Sequence, residues 1–286
     1  MKTCGEFNIT GYKIPLSSTD TPARIIPFGD IHMGADGFAK SKWSEFCKYC
    51  RDLDPDNTYY IGMGDYFDFA STSERNILNN PGIHESNIVE FDRAHMQKVN
   101  TFIGQVEFMK GRTIGMLEGN HTWKFLDGQT ETDKLAVALD STRLGVAGFM
   151  RLTCEYHDCR TNVDILAHHG LGGGVLLGSS FNKVEKMQGV MDADIYLMGH
   201  DHGRGIIPGR PIMWIKSING GESHDVRERQ RWFGRTGSFL KAWEQGKPSY
   251  IVDICKPASD LGHIEFLLYP KRTKDDGYYI QIKGLS

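Results

Sequence analysis

Three features are scarce in this chain of 286 residues, and each scarcity narrows the class of protein. No run approaches the roughly eighteen consecutive apolar residues of a membrane-spanning helix, so we expect no membrane partner. Six cysteines are too few for a disulfide scaffold in a chain of this length. The formal net charge is only −3, which gives no overall attraction to nucleic acid or to anionic lipid.

The amino-terminal residues also lack the apolar core of a secretory signal peptide, so we expect a cytoplasmic protein. Cys47 and Cys50 form a C-x-x-C pair, but they fall on the apolar side of a predicted helix with Trp43 and Phe46. We therefore predict buried thiols and not a zinc site. No repeat or linker divides the sequence, so we predict a single domain over residues 1–286.

Five short apolar runs end at glycine, a carboxylate or histidine. They predict buried strands over residues 24–28, 58–63, 112–117, 163–167 and 194–198. Helical patterns cover about residues 39–53, 131–143 and 180–190, the second with Thr130 or Thr132 as its cap. Strand patterns dominate after residue 205. This order predicts an α/β fold in which two packed β-sheets are flanked by helices.

The residues that follow these strands are types that bind metal ions. The five motifs are Asp30-x-His32, Gly64-Asp65-x-x-Asp68, Gly119-Asn120-His121, His168-His169-Gly170 and Gly199-His200-x-His202. Carboxylate, amide and imidazole groups suit divalent ions such as manganese, iron and zinc. The absence of thiolate favours a catalytic metal site over a structural one. Because sites in α/β proteins form at the carboxyl ends of strands, we expect the motifs to meet.

In this order the motifs resemble those of the calcineurin-like metallophosphoesterase superfamily, which includes protein phosphatases, cyclic-nucleotide phosphodiesterases and DNA-repair nucleases. The resemblance spans about residues 28–203. It implies a four-layer α/β/β/α sandwich of two mixed β-sheets flanked by helices. It also implies two divalent metal ions, with manganese as the first expectation and iron, zinc, nickel or cobalt as alternatives.

The resemblance carries a ligand set onto this sequence. The first ion would be bound by Asp30, His32 and His202, the second by Asn120, His168 and His200, and both by a bridging Asp65. His169 is the alternative to His168. We favour His168 because the family's ligand usually begins the loop and the predicted strand ends at Ala167.

His121 resembles the family's catalytic histidine, which assists departure of the leaving oxygen and is not a ligand. Asp68 would orient it as a carboxylate partner. The resemblance implies hydrolysis by a hydroxide formed between the two metal ions, without a covalent phosphoenzyme. Thr122 stands where many relatives have an acidic residue, which leaves the local support of His121 open.

Two segments outside the motifs bear on the substrate. Residues 69–105 form a long insertion, which we predict to be a cap over the metals with His84 or His95 near the substrate. The alternative is that both histidines are surface residues. The second segment, VRERQRWFGR, runs from residue 226 to residue 235 and combines arginines with aromatic residues.

Arg227, Arg229 and Arg231 alternate, so on a strand they would share one face, and Arg235 follows. Guanidinium groups match phosphate oxygens, and aromatic rings stack on bases. The segment therefore favours a phosphodiesterase acting on DNA, RNA or nucleotides. The alternative is that this segment is an edge strand whose arginines are simply exposed to solvent.

A phosphomonoesterase, such as a protein phosphatase, is the alternative enzyme. A binding scaffold without activity is a third hypothesis, and the complete motif set argues against it. The sequence does not specify the number of subunits.

Overall fold

The computed structural model describes residues 6–68, 85–170, 172, 176–218, 223–246, 252, 255, 257–258, 260–273 and 277–286. The helices in this part of the chain are α1 (Lys40–Asp52), α2 (Glu85–Val106), α3 (Glu131–Ala138) and α4 (Leu177–Lys186). Its strands are β1 (Phe7–Pro15), β2 (Ala23–Phe28), β3 (Thr58–Gly62), β4 (Thr113–Leu117), β5 (Thr142–Gly145), β6 (Ala147–Tyr156), β7 (Cys159–His168), β8 (Ile195–Met198), β9 (Arg204–Pro208), β10 (Ile212–Ile218), β11 (Ser223–Arg229), β12 (Trp232–Thr236), β13 (Glu265–Thr273) and β14 (Gly277–Leu285).

Twelve of these strands form one mixed sheet in the order β14-β13-β2-β3-β4-β5-β1-β6-β7-β8-β12-β9. Strands β2, β3 and β4 are parallel neighbours, and so are β7, β8 and β12. The carboxyl ends of the strands in each parallel set therefore lie at the same end of the sheet. Strands β10 and β11 form a separate antiparallel pair.

The long sheet folds over so that its two halves pack face to face. Ile25 and Ile61 from one half lie in the same buried cluster as Ile165 and Leu197 from the other. Alternate residues of the same strands point outward, towards α1, α2 and α3 on one side and α4 on the other. The α/β/β/α layering is confirmed. The two predicted sheets are halves of one sheet, joined through β5, β1 and β6.

Helix α1 buries the apolar face that its sequence pattern predicts. Trp43, Phe46, Cys47 and Cys50 are all at most 4% exposed. Burial raises the pKa of the Cys47 thiol to about 12. The prediction of buried thiols at Cys47 and Cys50 is confirmed.

Helix α3 begins where the sequence predicts, because Thr130 and Asp133 form a reciprocal capping box. It ends at Ala138, well before residue 143, so the predicted helix was too long. The residues that follow include β5, which pairs with β4. Here the pairing of β5 with β4 outweighs the helical pattern of the local sequence.

The described part of the predicted cap is a core helix. Val99, Phe102 and Val106 of α2 are fully buried, and Phe102 stacks on Trp43 with ring centroids 5.4 Å apart. His95 is also fully buried, with its Nε2 atom 3.2 Å from Glu131 Oε2, so it is not the surface residue that the alternative supposed. His84 lies outside the described residues. Among the described helices, none is long and apolar enough to cross a membrane.

Candidate metal centre

The five motifs meet at one end of the folded sheet because their loops are hydrogen-bonded to one another. The Asp30 amide donates to Gly64 O at 2.9 Å and the Ile31 amide to Asp65 O at 2.8 Å, which joins the loops after β2 and β3. The Gly199 amide donates to His169 O at 3.0 Å, which joins the loops after β7 and β8. The His200 amide donates to Asp30 Oδ2 at 2.8 Å and ties the two halves together.

The backbone at this junction is strained. Five motif residues have left-handed backbone angles, with φ between 49° and 69°: Asp30, His32, Asp65, His200 and His202. A residue other than glycine in this conformation reduces folding stability, and such residues are found preferentially at functional sites. The five strained residues therefore reduce the stability of the fold, and their conformation directs their side chains at a common point.

Asp30, His32 and His202 form the first set of donor atoms. The Nε2 atoms of His32 and His202 face each other at 3.3 Å, and His202 Nε2 lies 3.7 Å from Asp30 Oδ1. Asp30 Oδ1 is buried and has no hydrogen-bond partner among the residues that the structure describes. Facing imidazole nitrogens beside an unpaired carboxylate oxygen fit a cation placed between them.

Asp65, Asn120, His169 and His200 form the second set. His169 Nε2 lies 3.3 Å from Asp65 Oδ2 and 3.0 Å from Asn120 Oδ1, and His200 Nδ1 lies 2.8 Å from the same amide oxygen. Ligand atoms that each bind one ion at about 2.0–2.2 Å are separated from each other by distances like those between these donor atoms. The Asp, His and His donors lie within 4.8 Å of one another and could hold a metal ion.

The Asp65 carboxylate lies between the two sets. Its Oδ2 atom is 3.8 Å from His32 Nε2 and 3.3 Å from His169 Nε2. Its Oδ1 atom accepts a hydrogen bond from the His121 amide at 2.9 Å. A Cβ atom on Gly119 would come within 2.0 Å of that oxygen, so glycine is required beside it. This is the position that a carboxylate shared by two ions would occupy.

The charges of the cluster also fit a cation. Burial raises the pKa of Asp30 to about 6. Burial alone would raise the pKa of Asp65 too, but the imidazoles of His169 and His32 hold it well below its usual value. Burial would lower the pKa of His169, yet Asp65 raises it to about 9. The carboxylates thus need positive charge at the centre, which a divalent ion would supply in place of protons.

His169, and not His168, faces the cluster, which corrects the preferred assignment. Strand β7 continues through His168, one residue further than predicted, so His169 begins the loop. His168 points to the outer face, where it lines a cavity with Lys183 and Met198. Adjacent strand residues face opposite ways, so a shift of one residue exchanges the two histidines.

His121 and Asp68 lie beside the first donor set. His121 Nδ1 is 3.4 Å from Asp68 Oδ1, and His32 Nδ1 is 3.7 Å from Asp68 Oδ2. Burial would raise the pKa of Asp68, but its contacts with His121 and His32 lower it. Asp68 therefore stays ionised and can orient both rings.

Two carboxylates from helices α2 and α3 support the loop that carries His121. Glu131 Oε2 accepts a hydrogen bond from the Trp123 amide at 2.6 Å, and Asp92 Oδ1 accepts one from the Trp123 indole at 2.8 Å. Thr122 Oγ1 donates to Gly119 O at 2.9 Å. Sequence reasoning missed Glu131 and Asp92, because no local motif signals a contact between separate helices and a loop.

The predicted substrate arginines pair with other groups of the protein itself. Arg229 pairs with Asp192 and Asp194, and Arg231 with Asp192. These acids precede β8, at the end opposite His200. Arg229 is the last residue of β11 and Arg231 lies between β11 and β12, so the three alternating residues do not share one strand.

The other two arginines of that segment also make contacts within the protein. Arg227 pairs with Asp225 on the separate β10–β11 sheet. Arg235 does lie near the cluster, but it is only 1% exposed and faces backbone carbonyls and not the donor atoms. Each of these four arginines therefore has partners within the protein, and their assignment to substrate contacts stays a prediction.

Comparison with known proteins gives low similarities. No protein-family model and no curated protein matches the chain. Solved structures that resemble it include a predicted phosphoesterase from Streptococcus pneumoniae, with 15% identity, coverage of 93% of this chain and 99% of that one, and a TM-score of 0.31. Vps29 from Chaetomium thermophilum has 10% identity, coverage of 92% and 97%, and a TM-score of 0.33.

A double mutant of Vps29 from Entamoeba histolytica has 14% identity, coverage of 65% and 89%, and a TM-score of 0.26. A predicted phosphoesterase is therefore among the structures that this chain resembles.

Proposed function

We propose that this protein is a dinuclear metal-dependent phosphoesterase of the calcineurin-like type. The observation that carries the proposal is the pair of donor sets joined by Asp65, with His121 and Asp68 beside them. Manganese is the first candidate metal, since carboxylate, amide and imidazole ligands accept it readily. When bound, the two ions would neutralise phosphoryl oxygens and acidify a water molecule.

The residues of the chain would bind the two ions, supply a proton and orient the proton donor. Asp30, His32 and His202 would hold one ion, Asn120, His169 and His200 the other, and Asp65 both. His121 is placed to give a proton to the leaving oxygen, a contribution of about 10²–10⁴-fold in typical enzymes. Asp68 fixes the orientation of the His121 ring.

A phosphodiester is the substrate class that we propose first, with nucleic acid or nucleotides as its source. A diester carries one negative charge at neutral pH and a monoester carries up to two. Arg229 and Arg231, which could have matched the extra charge, are paired with Asp192 and Asp194 far from the cluster. A singly charged ester needs less positive charge beyond that of the two metal ions, which supports the diester as the first proposal.

A paired turnover assay tests the proposal. The protein, reloaded with manganese, is given bis-p-nitrophenyl phosphate and p-nitrophenyl phosphate at equal concentrations. His121→Ala is the matched control, because it removes the proton donor and keeps the donor sets. Metal content is measured on the same samples.

We expect turnover of the diester that exceeds turnover of the monoester and that falls in the His121→Ala variant. Preference for the monoester would reject the diesterase and turn attention to phosphoproteins and nucleotides with terminal phosphates. Absence of turnover by protein that holds two ions would favour the scaffold hypothesis.

A further inference from the structure

The loop Gly199–Gly203 carries one histidine of each donor set, and its backbone is strained. His200 has φ of 69° and His202 has φ of 61°, both in the left-handed region. A chain of five residues therefore has to hold two costly conformations while it aims two rings at different points. Contacts from outside the loop must offset that cost.

Arg235 supplies such contacts from beneath the loop. It lies on β12 opposite Met198, the last residue of β8. Its Nε atom donates to Met198 O and its Nη2 atom to Gly199 O, each at 3.4 Å. Its guanidinium also pairs with Asp201, the residue between the two histidines. One planar side chain thus contacts three of the four residues from Met198 to Asp201.

Asp201 links this guanidinium to the turn itself and to α4. Its Oδ1 atom accepts a hydrogen bond from the Gly203 amide at 3.0 Å, which closes a short turn around His202. Its Oδ2 atom accepts a hydrogen bond from Ser180 Oγ on α4. The side chains of Arg235 and Asp201 are 1% and 5% exposed, so their charges are matched inside the protein.

We infer that Arg235 and Asp201 form a positioning pair that holds His200 and His202 in place for the two metal ions. This inference rests on the proposed function and assigns a role to residues outside the ligand set. Arg235 does not contact substrate, because its guanidinium is buried against carbonyl groups and Asp201. Disturbing the pair should weaken both metal positions together, since the loop contributes to both.

The test compares Arg235→Lys with Arg231→Lys. Lysine keeps the positive charge but lacks the fork that reaches several acceptors at once. Arg231 is the matched control, because it is also largely buried, pairs with an aspartate, and precedes the same strand at the end away from the cluster. Binding of Co²⁺ to metal-stripped protein is followed by its visible absorption, with thermal unfolding and diesterase turnover measured in parallel.

For Arg235→Lys we expect Co²⁺ affinity to fall by about tenfold or more at both positions, as for other residues that support ligands. We also expect an altered Co²⁺ spectrum and a lower kcat with little change in KM. Arg231→Lys should keep the wild-type spectrum and affinity, even where its Tm falls equally. Unchanged Co²⁺ affinity and spectrum in Arg235→Lys would overturn the inference.

Ser180→Ala provides a second and milder variant, in case Arg235→Lys does not fold. It removes one hydrogen bond to Asp201 and leaves the ion pair, so a smaller shift in the same spectrum is expected. If Ser180→Ala matches wild type when Arg235→Lys cannot be obtained, the inference fails. Wild-type protein that binds two Co²⁺ ions but turns over neither ester would contradict the proposed function alone.

Discussion

His169 Nδ1 lies 2.8 Å from the carbonyl oxygen of Met63, a contact between the two halves of the folded sheet. Since a carbonyl only accepts, Nδ1 carries a proton in this contact, and Nε2 is the nitrogen that faces Asp65 and Asn120 and would bind a metal ion. This is the tautomer that a metal ligand requires, fixed by a backbone group.

His169→Ala should therefore lose metal while its neighbour His168→Ala should not. We expect His169→Ala to retain about one ion per chain and little turnover, since the second donor set loses a ligand. His168→Ala should keep two ions, because His168 points to the opposite face. Metal analysis after gel filtration checks both. The reverse result would restore the assignment made from the sequence.

His121→Ala should separate chemistry from metal binding. Both donor sets remain, so we expect two ions and a loss in kcat of about 10²–10⁴-fold. The loss should be smaller for a substrate with a p-nitrophenolate leaving group, which needs less protonation, than for an alkyl diester. An equal loss for both substrates would show that His121 does not act on the leaving oxygen.

Asp65→Asn should affect both metal positions at once. The substitution keeps the shape of the side chain but removes the charge shared by the two sets. We expect weak binding at both positions in a titration followed by calorimetry. Two tightly held ions in this variant would contradict the bridging position of Asp65.

Gly119→Ala should disrupt the site through space alone. Its Cβ atom would meet Asp65 Oδ1 at 2.0 Å, so the carboxylate must move. We expect a marked loss of metal and turnover. Gly104→Ala is the control, because a Cβ atom added there on α2 would meet no neighbour within 4 Å in the described part of the chain, apart from its own helix, and alanine favours helix by about 1 kcal/mol. Activity in Gly104→Ala should match wild type.

The cysteines should differ in their reactivity toward a thiol reagent according to their burial. Burial raises the pKa of Cys154 to about 12 and that of Cys50 still further, so few thiolates form near neutral pH. We expect a thiol reagent at pH 8 to label exposed Cys255 first and to reach Cys50 and Cys154 only after unfolding. Peptide mapping identifies each site. Removal of metal with a chelator followed by rapid labelling of Cys50 would revive a zinc site there.

The sequence by itself determined the chemistry of the centre and most of the layering. Apolar runs that end in Asp30, Asp65 or His200 predict strands whose carboxyl ends carry ligands, because hydrophobic period and residue type are local properties. The cap of α3 at Thr130 and the buried face of α1 follow from equally local rules.

The tertiary structure decided what depends on the exact end of a strand or on distant partners. His169 replaced His168 because β7 continues one residue further, and a single residue reverses which side chain faces the centre. Arg235 became a support for the loop because pairing of β12 with β8 places it beneath Met198 and Gly199. Burial and partner choice arise from contacts across the chain, and a local pattern does not contain them.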